Sequence, residues 1–122
     1  MFILLFLLTF LQTQQSRTIH QLQYISWKSD LIVPESTLDF LALCETAVNL
    51  AASGPLLVHC SAGTDRCSLL VTLASLLKQI HLDQRVDVFQ SARCTRSQRP
   101  AMLQMVVSIR RITDKMCTSI QT

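Results

Sequence analysis

One short segment of this 122-residue chain combines a nucleophilic side chain with a guanidinium group at a spacing that suits phosphate chemistry. Cys60 and Arg66 lie six positions apart. An apolar run precedes the segment and a leucine-rich pattern of helical spacing follows it, which predicts a loop between a strand and the N-terminus of a helix. The residues between the two are Ser61, Ala62, Gly63, Thr64 and Asp65.

A loop at the start of a helix can bind phosphate through its backbone. The N–H groups of residues 61–66 and the positive end of the helix dipole would point at one spot. The same field lowers the pKa of a thiol at Cys60, and the planar fork of Arg66 can bind two phosphate oxygens. Cys60 can then attack phosphorus and form a phosphocysteine. The alternative, a buried cysteine and a surface arginine, would be favoured by a bare C-x5-R pattern; the flanking elements and the Ser-Ala-Gly sequence favour a phosphate site.

The remaining elements are predicted from apolar spacing and capping residues, and they make an α/β chain. Ser36 and Asp39 form an S-x-x-D capping signal before a helix that ends at the turn over residues 53–55. The whole prediction is a strand over 18–25, a loop over 27–34, the capped helix, a buried strand over 56–59, the phosphate loop, a helix over 69–80, a helix with Val86, Phe89 and Ala92 on its apolar face that ends near Pro100, and a helix over 103–116.

Composition narrows the possible classes of protein. A chain of this length with 49% hydrophobic residues fits one small domain and is not disordered. A net charge of +3 does not indicate a nucleic-acid partner. Basic residues are concentrated in the last third of the chain, either as solvated helix faces or as a positive field around an anionic substrate.

The cysteine content argues against a disulfide framework and a zinc site. Five cysteines are an odd number, and none form a C-x2-C pair. We expect mostly buried, reduced thiols with at most one reactive cysteine. A redox pair of Cys60 and Cys67 is a further alternative. The five are Cys44, Cys60, Cys67, Cys94 and Cys117.

The N-terminal segment is apolar and uncharged over residues 1–16. Its apolar run, residues 1–11, is shorter than the roughly 20 residues that span a bilayer. It is similar to a signal-peptide core but lacks a preceding basic residue and a small-residue cleavage site. We expect a signal-like or anchor-like segment over 1–16 that can associate with a membrane through residues 1–11, with a buried strand or an artefactual chain start as alternatives.

Three motifs together resemble one enzyme family. H-C-S-A-G-x-x-R at 59–66, after G-P-L-L-V, resembles the signature loop of the classical cysteine-dependent protein tyrosine phosphatases. Residues 27–34 resemble that family's W-P-D-x-G-V-P acid loop, and residues 96–104 resemble its R-x-Q-R-P-x-M-V-Q segment. With V-D-V-F-Q at 86–90, the chain is most similar to the second, membrane-distal domain of receptor-type members.

The resemblance implies a fold as well. Residues 17–122 would be the C-terminal part of a tyrosine phosphatase domain, with a partial phosphatase-like α/β fold. In it a strand, the phosphate loop (residues 60–66) and a helix precede a C-terminal helical bundle. The loop that recognises tyrosine in this family would lie upstream of these residues.

The resemblance assigns catalytic roles by matching position. Cys60 would be the nucleophile, and Arg66 with the backbone of residues 61–66 would bind the phosphate of the substrate. Asp30 would protonate the tyrosine leaving group and then accept a proton from the hydrolytic water, which Gln104 would position. No metal and no cofactor is implied.

Neighbouring residues would support the phosphate loop. The resemblance implies that His59 helps to hold the loop and to lower the thiol pKa, although a core histidine is nearly as good an interpretation. Arg96 and Arg99 would support the loop from the segment that follows it.

The sequence departs from the family pattern at several of these positions. Asp65 and Ser68 stand where the family has glycine, and Cys67 replaces a hydroxyl residue that donates a hydrogen bond to the departing thiolate. The acid loop (residues 27–34) has one extra residue before Asp30, and Ser108 replaces a second glutamine. A carboxylate at position 65 would repel a dianionic ester.

These observations lead to two functional hypotheses. The first is weak hydrolysis of phosphotyrosine in proteins through a phosphocysteine. The second is a catalytically impaired module that binds phosphoproteins or regulates a partner domain. Because a catalytic thiol needs a reducing compartment, we expect the cytoplasm or the cytoplasmic side of a membrane.

Overall fold

The computed structural model describes residues 2–9, 14–51, 54–103, 109–111 and 113–114. The longer elements are two strands and three helices, so the predicted α/β class is confirmed. In chain order they are β1 (Phe2–Thr9), β2 (Ser16–Gln23), α1 (Thr37–Ala51), α2 (Asp65–Asp83) and α3 (Val88–Gln98).

The N-terminal apolar segment forms the first strand of a hairpin. Strand β1 pairs antiparallel with β2, in a register that places Phe2 opposite Gln23 and Thr9 opposite Ser16. This is the strand interpretation among those that the sequence leaves open, and β2 begins two residues before the predicted strand at 18. In the part of the chain described here, no helix is long and apolar enough to cross a membrane.

Helix α1 begins as its capping signal predicts. The backbone N–H of Asp39 donates to Ser36 Oγ at 3.2 Å, which satisfies one of the N–H groups that a helix start leaves without a partner. Because Phe40 and Leu43 are buried one turn apart, this helix packs its apolar face inward.

The core lies between α1 and α2. Burial of the aliphatic and aromatic side chains between the two helices is the main favourable contribution to folding in the described part of the chain. The rings of Tyr24 and Trp27 pack edge-on against Phe40, with centroids 5.3 and 5.2 Å away. The start of the acid loop is therefore fixed to the core. The buried cluster comprises Phe40, Leu43, Cys44, Leu69, Leu73, Leu76, Leu77, Leu103 and Ile109.

The prediction of a buried strand over residues 56–59 is wrong. These residues form no strand in the structure, and Leu57 is 88% exposed. A strand needs a hydrogen-bonding neighbour, and the sheet formed by the described residues contains only β1 and β2. The phosphate loop is thus entered from an irregular segment rather than from a sheet edge.

Helix α3 begins at Val88, so Val86 lies outside it, and its buried face differs from the predicted one except at Ala92, which packs against the core. It ends at Gln98, before Pro100, yet Phe89 is 76% exposed, whereas Ser91 and Thr95 are buried. Thr72 Oγ1 lies 3.2 Å from Thr95 Oγ1, so a hydroxyl pair holds α3 against α2. Small polar residues allow the two helices to approach closely, which apolar spacing alone does not predict.

The helix predicted over 103–116 lies mostly outside the described residues. Residues 109–111 and 113–114 are helical, and Ile109 is buried in the core. Of the predicted bundle that follows the phosphate loop, the packing of α3 against α2 is confirmed.

Candidate active site

The acid loop is an irregular segment between β2 and α1, as the sequence predicts. It is held by a hydrogen bond from Trp27 Nε1 to the Leu31 carbonyl oxygen at 3.0 Å and one from Leu31 N to the Lys28 carbonyl oxygen at 3.3 Å. An exposed ion pair joins Lys28 to Glu35 at 3.2 Å. Asp30 lies exposed at the turn that these contacts close.

The phosphate loop turns sharply at Gly63. This residue has φ +66°, in the left-handed region that glycine adopts without strain. A Cβ atom at this position would lie 3.4 Å from Arg99 Nη2, so the guanidinium of Arg99 packs closely against the loop. The supporting position implied for Arg99 agrees with this contact, whereas Arg96 is exposed on α3.

Asp65 is the first residue of α2 and has a helical backbone. The left-handed position of the loop is therefore Gly63. Asp65, which stands where the family has glycine, causes no backbone strain. A carboxylate in the first turn of a helix interacts favourably with the helix dipole. Asp65 is exposed, and its negative charge offsets part of the positive potential by which the N-terminus of α2 would attract an anion.

The two loops face each other across an open cleft of about 450 Å³. The candidate nucleophile, the candidate acid and the candidate phosphate-binding arginine all line it, and Gly63 alone of the predicted loop residues does not. Gln104 lies outside the described residues. The lining residues are Ser29, Asp30, Leu31 and Ile32 of the acid loop and Cys60, Ser61, Ala62, Thr64, Asp65 and Arg66 of the phosphate loop.

A hydrogen bond joins the side chains of Cys60 and Cys67 within the site. The thiol of Cys67 donates a hydrogen bond to Cys60 Sγ at 3.2 Å. Partial burial opposes ionisation of Cys60, but this bond and the backbone N–H groups of Cys67, Gly63 and Ala62 outweigh it, so the Cys60 pKa lies below its usual value. Burial and the neighbouring Cys60 raise the pKa of Cys67 to about 11.

His59 is exposed, so the core-histidine interpretation is wrong. The groups that lower the Cys60 pKa are the sulfur of Cys67 and backbone N–H groups of the loop. The thiolate is therefore stabilised by the loop itself and by the residue after Arg66.

Arg66 connects the phosphate loop to the acid loop. Its Nη2 donates to the Lys28 carbonyl oxygen at 3.2 Å, and its guanidinium carbon lies 5.1 Å from the centroid of the Trp27 ring. A cation over an indole face is attracted by the ring quadrupole. The guanidinium therefore lies at the cleft, held by contacts that a bound phosphate would have to replace or share.

The comparison with protein families agrees with this geometry. A model of the family described as protein-tyrosine phosphatase matches residues 3–116. The chain belongs to the protein-tyrosine phosphatase family. The matched residues include nearly all of β1.

Individual relatives are receptor-type tyrosine phosphatases. The chain is 39% identical over 92 residues to tyrosine-protein phosphatase Lar of Drosophila melanogaster. This match covers 73% of this chain and 4% of the fly protein. The chain is 38% identical over 93 residues to receptor-type tyrosine-protein phosphatase F of Homo sapiens and 37% identical over 93 residues to receptor-type tyrosine-protein phosphatase S of Gallus gallus. Those matches cover 74% of this chain and 5% and 6% of the respective relatives. The chain thus spans about one twentieth of the length of the relatives that it matches.

Ser68 has a structural task in this phosphatase-family chain that sequence reasoning missed. Its buried hydroxyl donates to the Asp65 carbonyl oxygen at 2.7 Å and accepts from the Leu103 backbone N–H at 3.3 Å. Leu103 has φ +57°, which costs free energy in a leucine, and its buried side chain and this hydrogen bond hold it in place. Ser68 therefore joins the start of α2 to Leu103, the residue before Gln104. The only sequence signal for this role is the position of Ser68 two residues after Arg66.

The lowered pKa of Cys60 leads to a testable prediction for this phosphatase-family site. A group with a lowered pKa keeps its thiolate to lower pH, so iodoacetamide should alkylate Cys60 with a midpoint pH below that of a cysteine in an unstructured peptide. Cys67→Ala removes the thiol donor and should move this midpoint to higher pH. Alkylation followed by mass spectrometry of Cys60 measures both midpoints, and an unchanged midpoint in Cys67→Ala would contradict the assignment.

Proposed function

We propose that this chain hydrolyses phosphotyrosine in proteins through a phosphocysteine on Cys60. The observation that carries the proposal is that Cys60, with its lowered pKa, shares one cleft with Asp30 and Arg66. Membership of the protein-tyrosine phosphatase family supports the substrate class. Residues 2–9 pair with β2, so membrane contact through residues 1–11 is not part of the proposal.

In the first step the Cys60 thiolate attacks phosphorus and the bond from phosphorus to the tyrosine oxygen breaks. Arg66 and the N–H groups of residues 61–66 bind the phosphoryl oxygens, where charge is largest in the transition state. Asp30 gives its proton to the leaving tyrosine oxygen. The products of this step are tyrosine and the phosphocysteine.

In the second step water attacks the phosphocysteine. Asp30, now a carboxylate, accepts a proton from that water, and Gln104 orients it. The S–P bond breaks, inorganic phosphate forms and the Cys60 thiolate is regenerated. Cys67 donates a hydrogen bond to this thiolate, in the place where the family resemblance implies a hydroxyl.

Trapping the intermediate tests the proposal. The full chain is mixed with a small aryl phosphate, quenched in acid within the first turnovers and digested for mass spectrometry. We expect a phosphoryl group on the Cys60 peptide and release of the phenol, and neither in Cys60→Ser. Release of the phenol at the same rate by both proteins would overturn the proposal.

A second function, phosphoprotein binding without turnover, is favoured by one observation. Asp65 places a carboxylate on the cleft wall beside Arg66, where it opposes both a dianionic ester and the thiolate. This function would be selected if the chain binds a phosphotyrosine peptide in a titration, yet releases no phenol from the aryl phosphate and forms no phosphocysteine in the trapping experiment. Absence of both binding and turnover would reject the two functions together.

We place this activity in a reducing compartment, the cytoplasm or the cytoplasmic side of a membrane. A nucleophilic thiol must remain reduced to attack phosphorus. The four cysteines in the described part of the chain, Cys44, Cys60, Cys67 and Cys94, are free thiols, in keeping with this location.

A further inference from the structure

One carboxylate on the cleft wall is available to a bound ligand. Asp65 is exposed and lines the cleft, and its side chain forms no ion pair or hydrogen bond with the residues that the structure describes. We propose that Asp65 determines which phosphotyrosine sequences this chain accepts, by pairing with a lysine or arginine side chain next to the phosphotyrosine of the ligand. This role rests on the proposed function, which supplies the phosphotyrosine.

The backbone at Asp65 is held in place by the first turn of α2. Ser68 Oγ donates to the Asp65 carbonyl oxygen at 2.7 Å, and the Ser68 backbone N–H donates to the Thr64 carbonyl oxygen at 2.8 Å. Ser68 is itself fully buried. The carboxylate is therefore carried by a short side chain on a fixed backbone, and such a side chain loses less conformational entropy on pairing than a long one.

The cations around the cleft are engaged elsewhere. The guanidinium of Arg66 lies over the ring of Trp27, and Lys28 pairs with Glu35 at 3.2 Å. The guanidinium of Arg99 packs against the turn of the phosphate loop. In the described part of the chain, none of these three cations forms an ion pair with the carboxylate at the start of α2, so its charge is left for the ligand to meet.

The charge balance of the cleft favours a ligand that brings its own cation. Arg66 is the one basic side chain among the described residues that line the cleft, and Asp30 and Asp65 are the acidic ones. In the proposed function Asp30 carries its proton when the ester binds, so Asp65 is the negative side chain that remains on the wall. A phosphate ester adds further negative charge. A cation beside the phosphotyrosine offsets the repulsion, whereas an acidic neighbour increases it.

The preference is particular to this chain. Where the family resemblance implies glycine, position 65 has no side chain that could contact the ligand. Lysine and arginine carry their charge at the end of long, flexible stems, so a residue that flanks the phosphotyrosine can extend to an exposed carboxylate at the cleft wall. Asp65 thus disfavours a bare phosphate ester and favours one in a basic sequence.

Three phosphotyrosine peptides test this role. They are identical except that the residues on both sides of the phosphotyrosine are lysine, glutamine or glutamate. Kd is measured by titration of the full chain carrying Cys60→Ser, and kcat/KM is measured by phosphate release from the unchanged chain. We expect the lysine peptide to bind about tenfold more tightly than the glutamate peptide at low salt, since an exposed attraction is gained and an exposed repulsion is lost. This ratio should fall as salt screens the charges.

Charge variants at position 65 identify the group responsible. Asp65→Asn keeps the size of the side chain and should reduce the ratio to within about threefold, and Asp65→Lys should invert it. The matched control is Asp83→Asn at the other end of α2, about 27 Å along the helix and beyond the screening length of about 10 Å. It should keep the ratio of the wild type. An unchanged ratio in both Asp65 variants, each verified as folded by circular dichroism, or an equal loss in Asp83→Asn, would overturn the inference.

The outcomes separate this role from the proposed function. Preferential binding of the lysine peptide through Asp65, without phosphate release from any peptide, would overturn the proposed turnover and support the inference. Phosphate release from the three peptides with equal kcat/KM would overturn the inference alone. Binding of none of the three peptides would overturn both.

Discussion

Cys60→Ser is expected to lower kcat/KM for a small aryl phosphate by at least about 10⁴-fold, the scale on which enzymes lose rate when a covalent nucleophile is removed. Serine is nearly the same size as cysteine, so the contacts of the loop remain. Its hydroxyl ionises only at far higher pH than the Cys60 thiol, whose pKa the loop lowers. The substitution therefore removes the reactive anion while leaving the cleft in place.

The control for this prediction is Cys94→Ser, an equivalent change at an exposed thiol on α3. It should leave kcat/KM unchanged. Initial rates from phenol release give both values, and far-ultraviolet circular dichroism verifies that each variant is folded. A Cys60→Ser rate within tenfold of the wild type would show that Cys60 is not the nucleophile.

Arg66→Lys is expected to lower kcat/KM by about 10²- to 10³-fold, the cost of losing a donor aimed at transition-state charge. Lysine retains the positive charge but lacks the planar fork that binds two phosphate oxygens at once. It also loses the bond to the Lys28 carbonyl oxygen and the stacking on Trp27 that position the guanidinium. A loss of this size in a charge-conserving variant would identify geometry, rather than charge, as the contribution of Arg66.

The matched control is Arg93→Lys, which makes the same change at an exposed position of α3. It should leave the rate unaltered. Rates measured over a range of substrate concentrations separate kcat from KM. A rise in KM alone for Arg66→Lys would show that Arg66 binds the ground state and the transition state equally, and a kcat/KM within tenfold of the wild type would contradict the prediction.

The sequence predicts the parts of the site that depend on local signals. The Ser36 cap predicts the start of α1, and the leucine spacing predicts that α2 exists but not its start, which is Asp65 rather than Leu69. The loop between the apolar run and α2 follows from the same spacing. Asp30 reaches the cleft despite the extra residue before it, because its spacing to the Val33-Pro34 end of the loop is kept. Helix capping, apolar spacing and motif spacing each involve residues close in sequence, so a single sequence is enough to predict the local structure that depends on them.

Features that depend on distant contacts are not predictable in this way. Whether residues 56–59 form a strand depends on a neighbour from elsewhere in the chain, and apolar character alone wrongly indicates one. The face of α3 is decided by the Thr72–Thr95 hydroxyl contact rather than by Phe89. Likewise, the replacement of a hydroxyl by Cys67 reads as the loss of a donor, whereas its sulfur lies 3.2 Å from Cys60 and still donates.

The stacking of Arg66 on Trp27 gives the site an optical reporter of its own. Trp27 is the only tryptophan of the chain, so all indole fluorescence comes from the ring that lies 5.1 Å from the guanidinium carbon of Arg66. Any anion that draws this guanidinium towards the phosphate loop changes the electrostatic surroundings of that single indole. Occupancy of the cleft can therefore be followed by intrinsic emission, without a label and independently of whether a bond is cleaved.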